Sequence, residues 1–177
     1  MVQKYVFIIL YILFFEAVSA PVKDRDMLYD ELLLWQEQVD RKNLKAKIDT
    51  ADFTKELFLQ ALYLYVENPE IVYNQAKIET GWFKSPIFRE LNNAFGMHYP
   101  YSRETTAIGW RWGDYYNGSH QKMSEYTHWS ESVKDISLWQ QYWRSQGHDL
   151  GDYYGFLRDL PYATAPNYIR VLRSMEV

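Results

Sequence analysis

Asn68-Pro69-Glu70-Ile71-Val72-Tyr73-Asn74-Gln75-Ala76-Lys77-Ile78-Glu79-Thr80-Gly81-Trp82 is a helix with its start and its stop written into it. Asn68 is a capping residue. Pro69 suits the first helical position, where a missing N–H costs nothing, and Glu70 lies at the positive end of the helix dipole. Gly81 ends the run. Inside it, Val72, Ala76 and Glu79 share one face by helical spacing. Glu79 therefore points where the apolar residues point, toward the interior or the floor of a cleft. It also occupies the last turn, where the dipole disfavours an anion, and burial disfavours an anion again. Both effects raise a carboxyl pKa. An acid that keeps its proton near neutral pH can protonate the departing oxygen of a glycosidic bond. The same periodicity also fits a buried Glu bonded to a neighbouring backbone, and the spacing alone does not choose between the two.

Outward from this helix the chain is mostly helical. Leu28, Leu32, Trp35 and Val39 mark an amphipathic helix from about Asp26 to Lys47. A second starts near Asp52, a good N-cap, with Leu57, Phe58, Ala61, Leu62 and Tyr65 as its apolar stripe. A short turn of helix begins at Pro86. Between Asn92 and Trp129, Gly96, Pro100, Gly109, Gly113 and Gly118 break the pattern, and Asn117-Gly118 signals a hairpin. That stretch reads as loops with a small two- or three-stranded sheet. Helices resume from Ser130 to Gln146, from about Gly151 to Leu160, and from Pro166 to Met175. The predicted class is α+β, mainly α, in one domain.

Composition excludes several chemistries. Net charge is −4 over 177 residues, so a basic groove for nucleic acid is not expected. There are no cysteines, which removes disulfides, thiolate nucleophiles and Cys-based zinc sites together. His98, His120, His128 and His148 are scattered without metal-ligand spacing, so neither metal nor cofactor is expected. The 16 Tyr and 7 Trp suit a core plus a groove that stacks sugar rings. At the N-terminus Lys4, the apolar run Tyr5 to Phe15 and Val18-Ser19-Ala20 have the form of a signal peptide over residues 1–20. The run is too short to span a bilayer comfortably. Export to the periplasm, cell envelope or medium is the expectation. Residues 21–177 then form the domain, with the membrane touched only through the signal segment.

The stretch Ala76-Lys77-Ile78-Glu79-Thr80-Gly81-Trp82, followed by Asn92-Asn93-Ala94-Phe95-Gly96, resembles the bacterial and phage glucosaminidase domain family (mannosyl-glycoprotein endo-beta-N-acetylglucosaminidase-like, glycoside hydrolase family 73). The family pattern is Ala-x-x-Glu-[Ser/Thr]-Gly-Trp and then Asn-Asn-x-Phe-Gly. Thr105-Thr106-Ala107-Ile108-Gly109 and Trp129-Ser130-Glu131-Ser132-Val133-Lys134-Asp135 with Leu138-Trp139-Gln140 are similar to a Bacteroidetes- or phage-type branch. Tyr162-Ala163-Thr164-Ala165-Pro166-Asn167-Tyr168 resembles the closing Tyr-Ala-x-x-Pro-x-Tyr motif. The resemblance implies a lysozyme-like helical lobe with a small β-hairpin lobe. It implies hydrolysis of the β-1,4 bond after N-acetylglucosamine in peptidoglycan glycan strands, with Glu79 as general acid and Tyr162 as a glycan contact. A monomer is the separate expectation. Other readings on the same fold are a muramidase or lytic transglycosylase, and a non-catalytic peptidoglycan-binding or phage assembly protein.

Glycosidases commonly use a second carboxylate. The candidates are Glu104 and Asp114, with Glu125 behind them; the substrate's own N-acetyl group is the alternative. Trp82, Asn93, Phe95, Trp110 and Trp112 are candidate substrate contacts. Trp82 follows the helix stop and either packs between the lobes or lines the cleft. Trp110 and Trp112 face the same side of a strand, as a glycan platform or as packing onto the helical lobe. Asn92 and Asn93 bond an acetamido group or cap a turn.

Overall fold

The structure, a computed structural model, describes residues 22–113, 120–160, 162 and 167–175, with side chains of the first helix from residue 33 onward. Two compact units divide at Lys47 and Ile48. The first contains all but the last residue of α1, Val22–Ile48, which begins about one turn before the predicted Asp26. Trp35 and Val39 are less exposed than Leu33 and Leu34, and Gln36 and Glu37 bond Asp40 and Arg41 one turn on. The signal-peptide reading of residues 1–20 lies outside the described residues. No helix among the described residues is long and apolar enough to cross a membrane.

The second unit holds α2 (Lys55–Tyr65), α3 (Pro69–Glu79), α4 (Pro86–Leu91), β1 (Gly109–Trp112), β2 (Lys122–Glu125), α5 (Trp129–Ser145), α6 (Tyr153–Asp159) and α7 (Tyr168–Arg173). This is the mainly helical α+β class with a small hairpin. Helix α2 starts later than the sequence suggested. Thr54, not Asp52, caps it, its Oγ1 accepting from the Leu57 N–H at 3.1 Å. The reason is Phe53, whose ring packs on Phe58, Phe83, Phe88 and Trp129. A helix begun at Asp52 would carry that ring away from them. The hydrophobic centre is this aromatic group, together with Leu62, Val72, Ala76, Phe95 and Ile136, all buried. Helix α2 packs on α3 and α5, and α3 packs on α7.

Helix α3 matches its punctuation, with a correction to the cap. Asn68 occupies the cap position, but its backbone is left-handed (φ 55°) and its side chain makes no cap bond. The Asn68 amide instead donates to the Leu150 carbonyl at 2.9 Å. Gln140 of α5 seals the neighbouring Glu67, accepting from its N–H at 2.9 Å and donating to its carbonyl at 3.0 Å. The N-terminus of α3 is thereby bolted to the body by side-chain amides.

Strands β1 and β2 pair antiparallel, with Trp110 opposite Ser124 and Trp112 opposite Lys122. The other edge of β2 holds the 97–99 segment, through Ser124 N–H to Met97 O at 2.9 Å and Tyr99 N–H to Lys122 O at 2.7 Å. That arrangement stops at a bridge between His98 and Met123, short of a third strand. The Asn117-Gly118 turn and the Pro166 helix start lie outside the described residues.

Candidate active site

Glu79 closes α3, and the chain beyond it is bent hard. Gly81, Trp82 and Phe83 all take positive φ, at 54°, 63° and 64°. Left-handed backbone costs roughly 1–2 kcal/mol for each non-glycine residue, so Trp82 and Phe83 are held there by other bonds. Thr80 supplies them. Its buried hydroxyl donates to Ala76 O at 2.5 Å and accepts from Phe83 N–H at 2.8 Å. Its carbonyl accepts from Lys84 and Ser85. The turn sends Phe83 into the aromatic core and leaves Trp82 in solvent, 56% exposed, with the Lys77 ammonium 5.1 Å from its ring. Of the two packing sites open to Trp82, the interior belongs to Phe83.

Glu79 itself is half-buried. Burial raises its pKa above the ordinary value, and the Tyr168 phenol beside it pulls partly the other way. Gly96 runs beneath it: a Cβ on Gly96 would stand 3.5 Å from Glu79 Oε2. That distance is ordinary contact, but Gly96 has φ 60°, so a side chain there is strained whatever the space. Gly96→Ala is expected to cost on the order of 1 kcal/mol, a fall of a few degrees in Tm by calorimetry, while Glu79 keeps its place.

The loop under Glu79 is fixed by Asn93, whose residue is fully buried. Its amide donates to Met97 O at 2.9 Å and Ser124 O at 3.0 Å. Its oxygen accepts from Met97 N–H at 2.9 Å and Phe95 N–H at 3.4 Å. A carboxamide has two donors and two lone pairs, so no valence is left for a sugar. Asn92 likewise serves the frame, donating to Tyr126 O at 3.0 Å. Phe95 is a core residue against Phe58. Its carbonyl accepts from the Tyr162 hydroxyl at 3.4 Å. Tyr162 is half-buried between the rings of Trp139 and Tyr168, and it couples electrostatically to Glu79.

Trp110 and Trp112 share one face of β1 and remain exposed, in edge contact at 5.1 Å. The Lys122 ammonium sits 4.2 Å from the Trp110 ring and 5.4 Å from the exposed Tyr101 ring. Three accessible aromatic faces thus surround one cation.

Among the candidate second carboxylates, Glu125 is clamped by Arg111, with N–O distances of 2.7 and 3.1 Å, and this holds its pKa down. Glu104 is exposed. Its backbone carbonyl accepts from Arg103 at 2.7 Å. Asp114 lies outside the described residues.

One feature was not visible as a site in the sequence. Arg103 forms two bonds to Asp135, at 2.9 and 3.0 Å, with both side chains buried. Tyr126 donates to the same carboxylate at 2.7 Å. This network anchors the Glu104 loop to α5. Among the described residues, no three His, Asp or Glu gather to hold a metal. His128 instead caps α5 and bonds Ala51 O.

Fold and site together define a mainly helical domain with one half-buried glutamate, at the end of α3, whose carboxyl pKa burial raises above the ordinary Glu value. The chain belongs to the glucosaminidase family, described as mannosyl-glycoprotein endo-beta-N-acetylglucosaminidase, whose profile matches residues 55–176. That is a family of glycoside hydrolases. Among solved structures, the catalytic domain of the autolysin Auto from Listeria monocytogenes is similar. Identity is 22%, with 76% of this chain and 90% of that one covered and a TM-score of 0.42. No curated protein matches the chain.

Proposed function

We propose that the protein is a peptidoglycan hydrolase that cleaves the β-1,4 bond after N-acetylglucosamine, with Glu79 as the general acid. The observation that carries this reading is the half-buried Glu79 at the end of α3, with its carboxyl pKa raised by burial and Gly96 beneath it. In the reaction the Glu79 proton passes to the glycosidic oxygen as the C–O bond breaks, water supplies the new hydroxyl at the anomeric carbon, and the water's remaining proton is taken up by a carboxylate of the site. Glu104 is the better supported second carboxylate. Its loop is anchored by the Arg103–Asp135 pair, whereas the Glu125 oxygens are occupied by Arg111. Asp114 is the rival, and Glu104→Gln against Asp114→Asn separates them. Export through residues 1–20 brings the enzyme to its substrate.

Mass spectrometry of peptidoglycan digested by the purified protein tests the bond. New reducing ends are expected to be N-acetylglucosamine. Ends of N-acetylmuramic acid or its anhydro form would make it a muramidase or a lytic transglycosylase.

Trp110, Trp112 and Tyr101 are proposed to stack on the glycan, since their faces are open to solvent and sugar faces are apolar with polar edges. Trp110→Ala is expected to weaken retention on insoluble wall material about fivefold, roughly 1 kcal/mol, without changing the melting temperature. Unchanged retention removes Trp110 from the binding surface.

A further inference from the structure

Gln75 is the side chain that packing does not explain. It lies one helical turn before Glu79, it is fully buried, and neither its amide nitrogen nor its amide oxygen has a partner. Leaving a buried polar group unpaired costs roughly 1–3 kcal/mol. Such a group in a native fold calls for a reason beyond packing, since Leu or Met would fill the space without that cost. Across the α3–α7 contact the Tyr168 hydroxyl is in the same condition, with its ring buried and its oxygen unpartnered. The two groups converge on the candidate acid. The Tyr168 hydroxyl faces Glu79, and Gln75 faces Tyr168. No bond of normal geometry joins any of the three. Catalytic hydrogen bonds are often long in a free enzyme and tighten once substrate is bound.

We propose that Gln75 and Tyr168 are positioning residues for Glu79, forming an amide-to-phenol-to-carboxyl relay that closes when a glycan occupies the site. The Gln75 N–H donates to the Tyr168 oxygen, and the Tyr168 O–H donates to one Glu79 oxygen. The other Glu79 oxygen is left to carry the proton for the leaving group. Once that proton has gone, the same O–H stabilises the carboxylate that remains. This rests on the reading of Glu79 as the acid.

The surroundings keep the relay simple. Among the described residues, the ionisable groups coupled to Glu79 are Tyr168 and Tyr162; Tyr153 of α6 couples to both phenols, and Tyr126 couples to Tyr162. Burial pushes all four phenols up, so they stay neutral across the working range. The loop from Asn92 to Met97 beneath the carboxyl contributes no ionisable side chain.

The experiment uses the full chain with Tyr168→Phe, Gln75→Met and Glu79→Gln. Three quantities are read: the pH profile of kcat on purified peptidoglycan, which reports the glycan-bound enzyme, the Glu79 carboxyl titration by carbon NMR with a soluble N-acetylglucosamine oligomer bound, and the melting temperature. Tyr168→Phe removes one hydrogen bond to the charged form. The Glu79 titration and the basic limb of the profile are expected to move up by about one pH unit, with kcat down about tenfold. Gln75→Met is expected to shift both in the same direction by less, and its melting temperature holds or rises because an unpaired amide has gone. Unmoved titrations in both variants overturn the relay. So does a Gln75→Met variant that melts lower with an unchanged pH profile, because the amide is then structural. A wild type that releases nothing, or an active Glu79→Gln, overturns the hydrolase reading instead, and the carboxyl titration decides the relay separately.

Discussion

Glu79→Gln is expected to abolish release of reducing ends from peptidoglycan while leaving the protein folded. Gln keeps the volume and one oxygen of Glu but has no acidic proton to give. General acid catalysis contributes typically about 10²–10⁴-fold, or roughly 3–5 kcal/mol of barrier. The stability effect has the opposite sign. Burial raises the Glu79 pKa, so the folded chain holds this proton more tightly than the unfolded chain. Between the ordinary Glu value of about 4.3 and the raised folded value, the native state binds more protons, and stability falls as pH rises through that window. Below the ordinary value both states are protonated and the penalty vanishes. The Gln variant never carries the penalty. At pH 7 it should therefore resist urea at least as well as wild type, and any advantage should vanish below about pH 4. Activity within tenfold of wild type would remove Glu79 from the chemistry. A variant clearly less stable at pH 7 would mean that the ionised carboxylate is a structural group.

Much of the scaffold was legible because its signals are local. Asn68-Pro69 and Gly81 bracket α3 within one or two residues, and the glycine-broken stretch after Asn92 does contain the small hairpin. What escaped was decided by contacts between distant segments. The choice between Asp52 and Thr54 as cap turned on the ring of Phe53, and both residues are good caps on their own. The exchange of Trp82 for Phe83 in the core follows from a left-handed run that no periodicity announces. Asn92 and Asn93 have the same chemistry in the sequence. Only the fold shows that both amides serve the frame, and that all four valences of Asn93 are filled within the loop and β2. Asp135 stood inside a quoted motif, but its partner Arg103 lies 32 residues away, beyond the reach of spacing arguments. Gln75 could be counted onto the helix, yet its lack of partners is a property of α7 as much as of α3.

The largest stability effect is expected at Asp135. Asp135→Asn preserves shape and still accepts from Tyr126, but it leaves the Arg103 guanidinium buried without its counter-charge. Breaking a buried ion pair from one side costs about 3–5 kcal/mol, a large part of the roughly 5–15 kcal/mol that holds a domain together. Urea unfolding should show the midpoint falling with little change in slope. Removing both charges is a different matter, since buried pairs replaced by apolar groups are often neutral in stability. Arg103→Met added to Asp135→Asn should recover most of the loss. Activity separates the frame from the chemistry. Arg103 also donates to the Glu104 carbonyl, so the double variant regains a stable body without regaining the anchor of the Glu104 loop. If Glu104 is the second carboxylate, kcat stays depressed in the refolded double variant, because the carboxylate is no longer held against the reacting carbon. Full recovery of both stability and kcat would mean that the ion pair only supports the fold and that the second carboxylate, or the acetamido group that replaces it, lies elsewhere.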